Sequence, residues 1–124
     1  MIEKDPKNVQ DFTAVLAKRS EEVPDRPWII TDERSYSYRT MDKRSSCLAT
    51  GLNGLGIGTD DTVLVMLPDT VDFVLIWCAL SKLGAIEVPV NVHYRGNLLT
   101  YLVNDSLAQT IVVDVRFLER LESV

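Results

Sequence analysis

Residues Asp60 to Asn91 constrain the fold more than any other stretch: DDTVLVMLPD, then TVDFVLIWCALSKLG, then AIEVPVN. The first run, Thr62 to Leu67, is too short and too β-branched for a helix, and Pro68-Asp69 stops it where a helix can begin. Asp69 is the expected cap of that helix's free amides, and Asp72 suits its positive end. From Val71 to Leu83 only Asp72, Ser81 and Lys82 are strongly polar, which predicts a helix covered on more than one side. Gly84 fits the left-handed position that ends a helix. Ile86 to Val90 then reads as a second apolar strand, of the kind buried on both faces of a parallel sheet. A right-handed βαβ unit follows. The fold class is α/β: an open, mostly parallel sheet flanked by helices.

The rest of the chain builds around that unit. Val9, Phe12 and Leu16 recur at helical spacing and place one apolar stripe on a polar segment, which should lie on the surface of the body. The prolines of Val23-Pro24-Asp25-Arg26-Pro27 break it. Trp28 to Thr31, a connection at Asp32-Glu33-Arg34, and Ser35-Tyr36-Ser37 form a short N-terminal hairpin. Ser37 to Gly56 is an amphipathic helix with Met41, Leu48, Leu52 and Leu55 on one face, where Ser45 and Ala49 are small enough for close packing. Beyond Asn91, Leu98, Leu99, Leu102 and Val103 mark a short helix, Thr110 to Val113 a third parallel strand, and Val115 to Leu121 a last helix with Phe117, Leu118 and Leu121 inward. There are no internal repeats.

With 124 residues, 46% of them hydrophobic and 25% charged, the chain amounts to one globular domain. Its net charge of −5, with no basic cluster beyond Lys18-Arg19 or Lys43-Arg44, disfavours a nucleic-acid partner. The longest apolar stretch falls short of the ~20 residues a membrane span needs. Met1 is followed by mixed charges rather than an apolar leader, and Cys47 and Cys78 sit in helical patterns without metal or redox spacing. Reduced core or near-core thiols in a cytoplasmic protein are the expectation.

Chemical motifs are sparse. Gly54-Leu55-Gly56-Ile57-Gly58 follows a helix and precedes a strand, the reverse of a phosphate loop's context, so it reads as a helix stop and turn. Asp60-Asp61 reads as a solvated turn, because adjacent residues of an extended chain point apart. The only histidine is His93, no serine sits in a Gly-x-Ser-x-Gly setting, and two separated cysteines cannot complete a metal site. No catalytic residue and no metal ligand is therefore assigned.

VLVMLPDTVDFVLIWCALSKLGAIEVPVN resembles the N-terminal region of the adenylate-forming acyl-CoA synthetases, whose members show a similar valine-rich strand, a Leu-Pro-Asn-Ser-like turn and Gly-Ala-x-x-x-Pro-x-Asn. Flanking words agree in order and spacing: Pro24-Asp25-Arg26-Pro27 with Trp28-Ile29-Ile30, Ser37-Tyr38, and Leu48-Ala49 with Leu52 up to Gly56. Arg95-Gly96-x-x-Leu99-x-Tyr101-x-Val103-x-Asp105-Ser106 continues the likeness, nearest to the carnitine and fatty acid type of CoA ligase. It runs from about Phe12 to Leu121.

The resemblance implies a parent enzyme that joins a carboxylic acid to ATP as an acyl-adenylate, with Mg²⁺, and then passes the acyl group to the thiol of CoA. The family's phosphate loop and its lysines are not among these 124 residues. The segment is accordingly expected to be an N-terminal scaffold, inactive alone and open to self-association through an uncovered strand edge. In acetate-activating members the residues matching Asn91 and Val92 line the approach of CoA; those members carry an aromatic and a glycine there. The alternative for the same loop is local: Asn91 bonds its own turn and His93 is solvated. The rival for the whole chain is a free-standing flavodoxin-like binding or regulatory module, which would need a phosphate-receptive loop or acids clustered after a strand.

Overall fold

The computed structural model describes residues 11–124. In chain order these form α1 (Phe12–Glu22), β1 (Pro27–Ile30), β2 (Ser35–Ser37), α2 (Tyr38–Gly54), β3 (Thr62–Met66), α3 (Val71–Leu83), β4 (Ile86–Pro89), α4 (Gly96–Ser106), β5 (Thr110–Val113), a 3-10 turn (Val115–Phe117) and α5 (Leu118–Glu122). β1 and β2 pair antiparallel as a separate hairpin, and β4-β3-β5 is a parallel sheet with β3 in the middle. Val9 of the first stripe lies outside the described residues.

β3 is a hydrophobic run because both of its faces are covered. Val63 and Val65 point to one side, among Ala49, Leu52, Ile57, Ile76, Ala79 and Leu80 of the α2–α3 layer. Leu64 and Met66 point to the other, with Val90 and Leu99 and the partly buried Leu102, Phe117 and Leu121. All four strand residues are at most 1% exposed, and each such burial stabilises by about 1.5–3 kcal/mol.

α3 lies between this sheet and the helices α1 and α2, as its nearly all-round apolar sequence requires. Trp77, on its outer side, stacks on Phe12 of α1 at 4.2 Å. Lys82 bridges to α2, its Nζ donating to Asp42 Oδ1 at 2.6 Å, Asp42 O at 2.8 Å and Ser46 Oγ at 2.8 Å. The helix ends on Gly84 at φ 70°, where a Cβ would come within 3.3 Å of Thr59 Cγ2. A non-glycine residue there carries left-handed strain and presses closely on the Thr59 side chain.

Several expectations are corrected. The N-cap of α3 is Thr70, not Asp69, because Thr70 is the last extended residue (φ −129°, ψ 174°) and Asp69 stands one residue too early. β4 is not buried on both faces: Ile86 and Pro89 are exposed, since it forms an edge of the described sheet. Glu87 lies within it on the α3 side, with Oε1 buried and unpartnered, and burial pushes its carboxyl above the usual carboxylate range. Leu55 is 81% exposed because it stands past the last helical turn, and Ile57 folds back in its place, its N–H donating to Leu52 O at 3.2 Å. Leu118, expected inward, also faces outward. Cys47 is exposed rather than near the core, whereas Cys78 is buried and its thiol is pushed up to about 11 by desolvation; both are free.

Candidate functional site: the carboxyl end of the parallel sheet

Two loops leave the carboxyl ends of β3 and β4 side by side and enclose an open cleft of about 430 Å³, lined by Leu67, Pro68, Asp69, Phe73 and Pro89 to His93. Pro68 stops β3 after Leu67, and Thr70 N–H donates to Pro68 O at 2.8 Å, a tight turn that aims the first amides of α3 at this end of the sheet. On the facing side Val90 N–H donates to Val65 O at 2.8 Å and carries the β3–β4 pairing one residue further. The chain then turns on Asn91. Its Oδ1 accepts His93 N–H at 2.9 Å and its carbonyl accepts Tyr94 N–H at 3.1 Å, the side-chain turn for which asparagine is suited.

Both sequence-derived site residues, Asn91 and Val92, thus stand on one wall of the cleft, with His93. Asn91 and His93 are exposed. Val92 is half-buried and packs against the Leu64–Met66–Leu99 core, so it has a structural role whatever else it does. The loop is also held from a distance. The Arg120 guanidinium, on α5, donates to Val92 O and lies over the Phe117 ring at 4.8 Å. Sequence inspection misses this contact, because a pair 28 residues apart leaves no local periodicity.

Asp114 closes the third strand. Its N–H donates to Met66 O at 3.1 Å, and its carboxylate takes Arg116 Nε and Nη2 at 2.9 Å each. The Arg116 side-chain bonds, with the Arg116 backbone N–H, hold that carboxyl down at about 2. In strand order β4-β3-β5 the topological switch point falls between β3 and β5, and the Asp114–Met66 bond spans it. The open volume lies on the other side of β3, next to Asn91.

Among the described residues no group of three or more His, Cys, Asp or Glu side chains is placed to hold a metal ion. No described helix is long and apolar enough to cross a membrane. The glycine-rich segment behaves as a helix stop: Leu55 caps α2, Gly56 takes φ 96°, and Gly58 N–H donates to Asp61 Oδ2 at 2.8 Å.

A central parallel strand, helices on both faces and a cleft at the carboxyl edge define an open α/β scaffold. The chain belongs to the AMP-binding enzyme family, whose model matches residues 16–124. Over 102 residues it is 32% identical to the human long-chain fatty acid transport protein 6, covering 82% of this chain and 16% of that protein. Over 92 residues it is 27% identical to the 3-hydroxybenzoate/4-hydroxybenzoate CoA ligase of Thauera aromatica, covering 74% of this chain and 18% of the ligase. The N-terminal subdomain of Klebsiella oxytoca NpsA, solved with 3-hydroxyanthranilyl-AMSN, superposes with a TM-score of 0.82 at 25% identity, over 86% of this chain and 28% of that one. Tyrocidine synthase 1 of Brevibacillus parabrevis and bacitracin synthase 2 of Bacillus licheniformis stand among the relatives beside CoA ligases. The chain spans less than a fifth of the curated relatives described.

Proposed function

We propose that this chain is the N-terminal scaffold of an ATP-dependent, AMP-forming acyl-CoA ligase, and that the loop Asn91-Val92-His93 borders the approach of CoA. The observation that carries the reading is the cleft at the carboxyl ends of β3 and β4 in a chain of the AMP-binding enzyme family, with Asn91 and Val92 on its wall. Relatives that are CoA ligases support CoA as the acceptor. The cleft suits a slender, partly apolar group: Leu67, Phe73, Pro89 and Val92 supply hydrocarbon, and the exposed Asp69, Asn91 and His93 supply polar atoms at the mouth. ATP and Mg²⁺ have no comparable holding set among the described residues; they belong to parts of a longer enzyme outside this segment. The segment orders the strands and loops that form one side of the channel, and alone it is inactive.

The reading separates two half-reactions. In the full-length enzyme, Val92→Trp adds bulk to the cleft wall and should slow acyl transfer to CoA while carboxylate-dependent exchange of pyrophosphate into ATP continues. Equal loss in both steps at an unchanged melting temperature removes Asn91 and Val92 from the site. Exchange catalysed by residues 1–124 alone, abolished by a point change within them, overturns the scaffold reading.

A second reading, in which the acyl acceptor is the thiol of a carrier protein, is favoured by the synthases among the relatives. Acyl transfer to free CoA at a rate matching turnover decides against it.

A further inference from the structure

We propose that Arg120 is a positioning residue for the Asn91–His93 loop, setting the width of the cleft from α5; the proposal rests on the functional reading of that loop. Asn91 organises the turn locally through His93 N–H and Tyr94 N–H, and these bonds leave the Val92 carbonyl free. Arg120 takes that carbonyl. Among the described residues it is the one side chain from another element that hydrogen-bonds the segment Asn91–His93. A guanidinium suits the task because its planar N–H groups can serve the carbonyl while its face rests on an aromatic ring, here Phe117 at 4.8 Å. Phe117 is in turn packed into the core beneath Leu64 and Met66. The path from core to loop is therefore Phe117, Arg120, Val92 O. Arg116, the other guanidinium near that ring at 5.6 Å, is already bound to Asp114 and is not available for the loop.

The consequence is specific. Val92 lines the cleft, packs against the Leu64–Met66–Leu99 core and has its carbonyl on Arg120, so loss of the donor removes the hydrogen bond that holds this wall from α5 while the strand core stays in place. Charge alone does not substitute, because a lysine ammonium lacks the planar fork and the stacking face.

Arg120→Met, which keeps the hydrocarbon stem, is compared with Arg120→Lys and the parent protein by amide hydrogen exchange. In Arg120→Met the Tyr94 and His93 amides should exchange about tenfold faster or more, with Leu64 and Val65 unchanged. Arg120→Lys should fall between the two. In the full-length enzyme, Arg120→Met should raise KM for CoA with pyrophosphate exchange intact. Unchanged loop exchange, or faster exchange throughout β3 as well, overturns the positioning role. Val92→Trp in the same assay separates the two failures. If Val92→Trp splits the half-reactions and Arg120→Met does not, the positioning role falls and the loop keeps its function; if neither does, the functional reading falls and the proposal with it.

Discussion

Two open clefts of the same size, about 430 Å³ each, sit at opposite ends of one sheet. The carboxyl-end cleft lies between the β3–α3 and β4–α4 loops. The amino-end cleft is lined by Leu55, Gly56, Ile57, Asp60, Asp61, Thr62, Leu107, Gln109 and Thr110. Volume does not distinguish them, but the helix ends that meet them do. Parallel strands with antiparallel helices gather helix starts at one end and helix finishes at the other. The cap residues Leu55 of α2 and Leu107 of α4 line the amino-end cleft, and Gly84 O of the α3 cap accepts Asp60 N–H at 2.9 Å beside it. Partial negative charge from these ends meets the carboxylates of Asp60 and Asp61. At the carboxyl end the first turn of α3 brings free amides toward the cleft. Both clefts carry acid, Asp60 and Asp61 at the amino end and Asp69 at the carboxyl end, so the contrast lies in the helix termini: C-terminal carbonyls meet one cleft and the N-terminal amides of α3 meet the other.

The largest effect should come from β3, on which both clefts hang. Leu64→Ala removes a side chain 1% exposed and should cost about 2–5 kcal/mol in chemical denaturation, loosening both ends together. Loss confined to one end would show that the clefts do not share a scaffold. Next comes the contrast between the clefts themselves. Val92→Trp should depress acyl transfer by about tenfold or more, because small misplacements at a reacting centre are costly, whereas Gln109→Trp at the amino end should leave both half-reactions unchanged. Similar effects from the two substitutions would erase the functional difference.

Lys82 tests how independent the α2–α3 layer is of the carboxyl-end loop. Lys82→Met removes three hydrogen bonds and leaves Asp42 half-buried without its cation, which should cost about 1–3 kcal/mol by thermal or chemical unfolding. Tyr94 amide exchange under native conditions should stay as it is.

The smallest effects are pH-dependent and opposite in sign. Asp114 has a carboxyl held down at about 2, so its contribution is present above the ordinary value of 3.8 and fades as pH falls toward 2. Glu87 has a carboxyl raised by burial, so the folded state is favoured below its ordinary value of 4.5 and loses that advantage as pH rises through the raised one. Glu87→Gln should therefore raise the melting temperature at pH 7 and leave it nearly unchanged at pH 3. Asp114→Asn should do the reverse, destabilising at pH 7 and converging on the parent protein at pH 2. Melting curves of both variants across pH 2–8 check the signs.

The strand, helix and strand between Asp60 and Asn91 were legible in the sequence because each is a local matter. A β-branched run bounded by proline, an apolar stretch of helical length and a terminal glycine each state their own geometry within a few residues. The hairpin and the third strand were legible for the same reason, as was the turn at Asn91. What failed were statements about neighbours. Glu87 shows that a strand's apolar look does not say whether it will be central or an edge, because that depends on which strands arrive on either side. Leu55 and Leu118 carry core-type side chains and face outward, since helix ends and register decide their direction. Cys47 and Cys78 have the same chemistry in similar helical patterns, yet only Cys78 lies under another element. Asn91 and Val92 could be named from resemblance, but the cleft beside them and the reach of Arg120 to Val92 O exist only once β3, β4 and α5 are brought together. Periodicity encodes which face of an element is apolar; the pairing of elements far apart in the chain, set by tertiary packing, decides what that face meets.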